Sequence, residues 1–122
     1  MRERTLVLDK AGISREAYRE LLHFCRQLEE KKRRLAHLRG WGGPEWERAR
    51  LERDVALIAR LAREAAGEAL EAALVLNVCY GVRFEALGAP CGRRQFYEMR
   101  RRFFTLLARA KWGPGDEACG EG

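Results

Sequence analysis

Apolar residues recur at helical spacing along most of this chain, and glycine or proline interrupts the pattern at three places. Alanine, leucine, arginine and glutamate dominate, whereas β-branched residues are scarce and never alternate over the length of a strand. Such alternation is what a sheet with one buried face requires. The sequence therefore predicts an all-α domain, and its 122 residues suffice to bury one modest core.

The first predicted helix begins after Ser14, a favourable N-cap residue, and extends to Arg39. Its apolar side chains form one stripe: Tyr18, Leu21, Leu22, Cys25, Leu28, Leu35 and Leu38. We expect Gly40 to end this helix in a left-handed conformation, and Pro44 to take the first position of the next helix. Trp46 is expected to fold back over the short loop. Two long helices joined in this way should lie antiparallel.

The second predicted helix starts at Glu45 and carries one apolar face: Leu51, Val55, Ile58, Ala62 and Ala65. Gly67 predicts a break, after which "EALEAALVLNVCY" forms a third helix. This stretch is the most apolar in the chain, so we expect the third helix to be the most buried element. Asn77 inside it must find a hydrogen-bond partner or face outward at the helix end.

The C-terminal segment combines two glycine-bounded turns, with room for one helical turn at residues 84–87, and a long last helix after the turn at residues 90–92. On a helical wheel, six residues of this helix share one arc of about 100° that should face the core. They are Phe96, Met99, Phe103, Leu106, Leu107 and Ala110. The opposite side carries Arg94, Arg101, Arg102 and Arg109, and the border carries Arg93, Tyr97, Arg100, Phe104 and Lys111.

The predicted architecture is a small helical bundle with an antiparallel helical hairpin and a C-terminal basic amphipathic helix. The single helical turn, the tight turn and the basic helix together are helix-turn-helix-like. We expect one helical domain at residues 1–112. Residues 113–122 are rich in glycine and acidic side chains, which predicts a disordered tail.

The net charge of +6 is concentrated in one segment of the chain. Residues 90–111 carry seven lysines and arginines and a single glutamate, whereas residues 112–122 carry three acids and no base. Arginine presents a planar fork of donors that matches phosphate and carboxylate groups. The charge distribution therefore favours an anionic partner for the last helix.

Sequence signatures of catalysis are absent: there is no glycine-rich phosphate loop, no GxSxG and no HExxH. The four cysteines form no CxxC pair, and Cys25 and Cys79 read as small core residues. We therefore expect no enzyme, no metal, no cofactor and no small-molecule substrate. No apolar run approaches the roughly 20 residues of a membrane span, and the first residues lack a signal-peptide core. These features predict a cytoplasmic protein without a membrane partner.

The basic helix at residues 92–111 predicts binding to double-stranded DNA. In a helix-turn-helix the first residues of the second helix meet base edges, and the helix N-terminus attracts phosphate. Arg93 or Arg94 is expected to contact guanine, and Gln95 to contact adenine. Phosphate contacts from the rest of the helix should hold the register. The residues expected to make them are Arg101, Arg102 and Arg109.

A second interpretation stays open from the residues alone. The helical hairpin is also typical of a non-catalytic interaction module that forms a homodimer. In that case the arginines of the last helix would pair with acids on a partner protein. Because helix-turn-helix proteins often bind as dimers, a homodimer is compatible with both interpretations.

Two segments, "YRELLHFCRQLEEKK" and "FEALGAPCGRRQFYEMRRRFFTLLA", resemble small proteins encoded in prophages of Gram-positive bacteria. The second segment is similar to the pattern "YExLGxPCGRRxFYxxRRxFF" of that group, and together the two cover roughly a third of the chain. The last helix is also similar to the closing helix of phage late-gene regulators of the ArpU and RinA type. The resemblance implies a phage-derived DNA-binding protein that acts as a transcriptional regulator.

Overall fold

The computed structural model describes residues 12–113, and these residues form helices and connecting turns without a strand. The predicted all-α fold is therefore confirmed. The predicted disordered tail falls almost entirely at residues 114–122, which lie outside the described residues, as do residues 1–11. The described part of the chain has six helices: α1 (Arg15–Arg26), α2 (Leu28–Trp41), α3 (Glu45–Ala66), α4 (Glu71–Tyr80), α5 (Phe84–Leu87) and α6 (Arg93–Trp112).

The segment predicted as one long first helix consists of two helices. Ser14 caps α1 as expected, because its hydroxyl oxygen accepts a hydrogen bond from the Ala17 backbone N–H at 3.1 Å. The helix then breaks at Gln27, whose ψ angle of 4° departs from helical geometry. The apolar face of α1 and Leu28, the first residue of α2, belong to the main core. Further along α2, Leu35 and Leu38 form a smaller cluster with Leu51 of α3.

The hairpin between α2 and α3 forms, but its turn lies further along the chain than predicted. Helix α2 continues through Gly40 and is ended by Gly42, whose φ of 87° is left-handed and whose N–H donates to the Leu38 carbonyl at 2.7 Å. Pro44 is the N-cap of α3 rather than its first residue. The expected packing of Trp46 over the turn is wrong, since this side chain is 65% exposed.

Ion pairs join the two arms of the hairpin. Lys31 binds Asp54 and Arg34 binds Glu47, each at 2.9 Å. The later residue of α2 thus pairs with the earlier residue of α3, as antiparallel helices require. The hydrogen bond from Arg34 also lowers the pKa of the Glu47 carboxyl group.

Helix α4 follows the predicted break at Gly67, which takes a left-handed φ of 81°. Its buried side carries Asn77, which is only 8% exposed. The Asn77 amide nitrogen donates to the Val82 carbonyl at 2.9 Å, so the polar group has the partner that its position requires. The opposite side of α4 is open, since Leu76 and Tyr80 are 43% and 40% exposed. This helix is therefore less completely buried than its composition predicts.

Helix α6 completes the bundle by packing mainly against α3 and also against α1 and α4. Its fully buried side chains are Phe96, Phe103, Phe104 and Leu107. The wheel placed Phe104 at the border, but its ring packs edge-on against Tyr18 with centroids 5.0 Å apart. Ala110, which the same wheel placed in the core arc, is exposed because it lies in the last turn of the helix. These contacts fix which side of α6 faces solvent.

Candidate nucleic-acid interface

The start of α6 is held by the short helix that precedes it. Gly92 is the N-cap of α6 in an extended conformation, and its carbonyl accepts the first helical hydrogen bond, from Phe96, at 3.0 Å. Helix α5 packs beside this start, because the rings of Phe84 and Phe96 lie 5.3 Å apart. The single helical turn at residues 84–87 is confirmed. Its four residues leave the first helix of any helix-turn-helix very short.

Four arginines form a row along the solvent side of α6. This row is called the outer stripe, and it consists of Arg94, Arg101, Arg102 and Arg109. Their spacing of seven, eight and fifteen residues from the first keeps them on one side of the helix over roughly 22 Å. Arg101 is half-buried and the other three are exposed, and Gln95 is exposed beside them. The outer stripe with Gln95 contains five of the six residues predicted to contact DNA.

No acid within residues 12–113 forms an ion pair with the outer stripe. The glutamates near the start of α3 pair instead with arginines of the hairpin: Glu45 with Arg48, Glu47 with Arg34, and Glu52 with Arg39. Arg102 makes one further contact, a long hydrogen bond of 3.4 Å from Nη1 to the Ala65 carbonyl. The guanidinium groups of the outer stripe thus keep donors available for an external anion.

Arg93, the sixth predicted residue, is engaged on a different side of α6. It forms an ion pair with Glu85 of α5, and its guanidinium lies over the rings of Phe84 and Tyr97 at 5.8 and 5.5 Å. The hydrogen bond from Arg93 lowers the pKa of the Glu85 carboxyl group. Although the Arg93 side chain is 60% exposed, it does not share the direction of Arg94.

Arg100 was not among the predicted site residues, and it is held more firmly than any of them. Its Nε donates to the Asn77 side-chain oxygen at 2.8 Å, and its Nη2 donates to the Tyr18 hydroxyl at 2.9 Å. The guanidinium carbon also lies 5.1 Å from the Phe104 ring centroid. The available signal was Asn77 itself, because a polar amide in the most apolar helix requires partners from elsewhere in the chain.

The cysteines and histidines within residues 12–113 do not form a metal site. Cys25 and Cys79 are buried as predicted, and a hydrogen bond between their thiols together with burial raises the pKa of Cys25. Cys119 lies outside the described residues. Within residues 12–113 no three histidine, cysteine or acidic side chains are grouped as metal ligands. Over the same range, no helix has the length and apolar character needed to cross a membrane.

Comparison with known proteins found no match: the chain matches no protein-family model, no curated protein and no solved structure.

Proposed function

We propose that this protein binds duplex DNA without catalysis, through the outer stripe of α6, and acts as a prophage-type transcriptional regulator. The observation that carries the proposal is the row of four arginines that have no acid partner in residues 12–113. Neutralisation of DNA phosphates by such side chains releases counterions, which supplies most of non-specific affinity. The row therefore has the charge that this mode of binding needs, and three of its four arginines are exposed.

The dimensions of α6 are compatible with a DNA groove. A helix with its side chains is about 10–12 Å across, and the major groove of B-DNA is about 12 Å wide. The outer stripe covers about two thirds of the 34 Å that one turn of duplex occupies. In this arrangement Arg94 and Gln95, at the start of α6, contact base edges. Arg101, Arg102 and Arg109 contact phosphates and fix the register.

Arg93 has no part in this base contact in the proposal. Its ion pair with Glu85 and its stacking on Tyr97 direct it away from the outer stripe. Arg94 therefore takes the guanine-contacting role that the sequence left open between the two arginines. Because α5 is a single turn, the proposal depends on α6 alone and not on a complete helix-turn-helix.

The salt dependence of duplex binding tests the proposal directly. With the three phosphate contacts of Arg101, Arg102 and Arg109, a plot of log Kobs against log salt concentration should have a slope of about −2.7 for random-sequence duplex. Fluorescence anisotropy of a labelled duplex between about 50 and 200 mM salt measures this slope. A protein that shows no duplex binding at about 50 mM salt does not have the proposed function.

A homodimerising interaction module is the second candidate, favoured by two tryptophans at the tip of the hairpin. Trp41 and Trp46 are 83% and 65% exposed, and exposed aromatic groups of this size are typical of contact surfaces. If the tip dimerises, the molar mass measured by light scattering doubles as protein concentration rises. The W41S/W46S variant should then stay monomeric, whereas the control Trp112→Ser on α6 should still dimerise. A wild-type protein that is monomeric at every concentration excludes this candidate.

A further inference from the structure

A cleft of about 410 Å³ lies beside the start of α6, on the side away from the outer stripe. It is bounded by the end of α1, the end of α4 with the loop that follows, and one side of α6. Four arginines and one acid line it: Arg26, Arg83, Arg93, Arg100 and Glu85. These residues come from separate parts of the chain, and only the fold brings them together.

Hydrogen bonds within the protein hold two of the four arginines in place. Arg100 is bound by Asn77 and Tyr18, as described above, which leaves the Nη1 group without a hydrogen bond among residues 12–113. Arg26 donates from Nε to the Val78 carbonyl at 2.9 Å. Its guanidinium packs against Gly81, where a Cβ atom would lie 3.5 Å from it. The half-buried Arg100, with two hydrogen bonds, is therefore oriented before any ligand arrives, and the exposed Arg26 is held through its Nε.

The other two arginines lie at the mouth of the cleft. Arg83 is exposed and has no ion pair among the described residues. Arg93 is paired with Glu85, and Tyr97 lies beneath its guanidinium. At the mouth of the cleft, Arg83 therefore has no neutralising partner among the described residues. Arg93 has one, but a phosphate group can compete with the Glu85 carboxylate for it.

The charge balance of the cleft is incomplete within the protein. Four guanidinium groups and one carboxylate line the cleft, so its lining carries a net charge of +3. Such a recess concentrates positive potential and attracts anions. Arginine forks match the oxygen geometry of phosphate, and clusters of arginines are a recurrent means of recognising phosphorylated groups. A multivalent oxyanion is the ligand that neutralises this charge most completely.

We propose that this cleft is a binding site for a phosphate group, with Arg26 and Arg100 as its floor and Arg83 and Arg93 at its mouth. The group is either a backbone phosphate of a nucleic acid or the phosphate of a small phosphorylated ligand. The site is independent of the outer stripe, because the two sets of arginines face different sides of α6. Failure of duplex binding by the outer stripe therefore leaves this proposal standing.

Titration with inorganic phosphate at constant ionic strength tests the proposal, with the arginine Nε–H signals in NMR spectra as the readout. The signals of Arg26 and Arg100 should shift, and Arg83→Gln should weaken the affinity for phosphate about tenfold through loss of a charge-assisted contact. Glu85→Gln should strengthen it, because the carboxylate competes with the ligand for Arg93. These two variants are at exposed positions, so their folding is not at risk.

Matched controls away from the cleft separate a site from general charge. Arg53→Gln on α3 and Glu98→Gln on α6, both at exposed positions, change the net charge by the same amounts as the two test variants, and they should leave phosphate affinity within about twofold of wild type. Equal effects from the test and control variants overturn the proposal, as does the absence of any shift at Arg26 and Arg100.

A second titration, with a short unlabelled duplex, identifies the source of the phosphate. If a backbone phosphate occupies the cleft, Arg83→Gln weakens duplex binding and excess inorganic phosphate competes with the duplex for the Arg26 and Arg100 signals. If the cleft takes a small phosphorylated ligand, Arg83→Gln binds the duplex as wild type does, while its phosphate affinity is still reduced. Both results retain the site and assign its ligand.

Discussion

Asn77→Ala is expected to lower the free energy of unfolding by about 3 kcal/mol. The substitution removes the partner of the Val82 carbonyl and the partner of Nε of Arg100, a half-buried cation. An unsatisfied buried polar group costs roughly 1–3 kcal/mol, and more when it is charged. Chemical denaturation followed by circular dichroism measures the change as a shift of the urea midpoint at constant m-value.

The neighbouring residue on the same helix provides the control for this variant. Leu76→Ala removes a side chain that is 43% exposed, so its cost should stay below about 1 kcal/mol. A double-mutant cycle with Arg100→Ala should show a coupling energy of about 1 kcal/mol or more between Asn77 and Arg100. If Asn77→Ala costs no more than Leu76→Ala, the hydrogen bonds of Asn77 do not stabilise the fold.

Reversing the charge of Arg101 and Arg102 together, as R101E/R102E, is expected to weaken duplex binding at least a hundredfold at about 50 mM salt. Two lost phosphate contacts reduce the slope of log Kobs against log salt by about 1.8, which accounts for roughly two powers of ten at this concentration. Repulsion between the new carboxylates and the phosphates adds to the loss. Fluorescence anisotropy with the same random-sequence duplex measures both the affinity and the slope.

A second charge reversal shows whether position or net charge causes this loss. Arg53 and Arg60 are exposed on α3, on the side of that helix opposite the buried Leu51 and Ile58. R53E/R60E changes the net charge by the same amount and should reduce affinity far less. Equal losses in the two double variants would mean that the outer stripe is not the binding surface. Thermal unfolding of each variant shows whether the fold is intact.

Local signals in the sequence were sufficient for much of the fold. The break at Gly67, the single turn at residues 84–87 and the buried aromatic side of α6 depend on glycine conformation and on helical spacing, which a single segment displays. The break at Gln27 gave no such signal. No glycine or proline marks it, and beyond Leu28 the apolar side chains of α2 contribute to a different cluster from those of α1. That division exists only once α2 has packed against α3, and α1 against α4 and α6.

The two candidate sites also differ in how far the sequence alone predicts them. The outer stripe could be predicted because its arginines belong to one helix and share a side of it. The cleft could not, because Arg26, Arg83 and Arg100 come from distant segments whose meeting depends on the packing of α1, α4 and α6. The wheel placed Arg93 at the border of α6, but its ion pair with Glu85 depends on the packing of α5 against α6.

Arg100 joins α6 to α1 and α4 through its hydrogen bonds and also lines the cleft, and this double role limits how the cleft can vary. Any substitution of Arg100 that alters the cleft also removes the hydrogen bonds to Asn77 and Tyr18. By contrast, Arg83 and Glu85 are exposed and can change at little cost to stability. Related sequences should therefore diverge at the rim of the cleft while they retain its floor, and attempts to redesign its selectivity have the best prospects at Arg83 and Glu85.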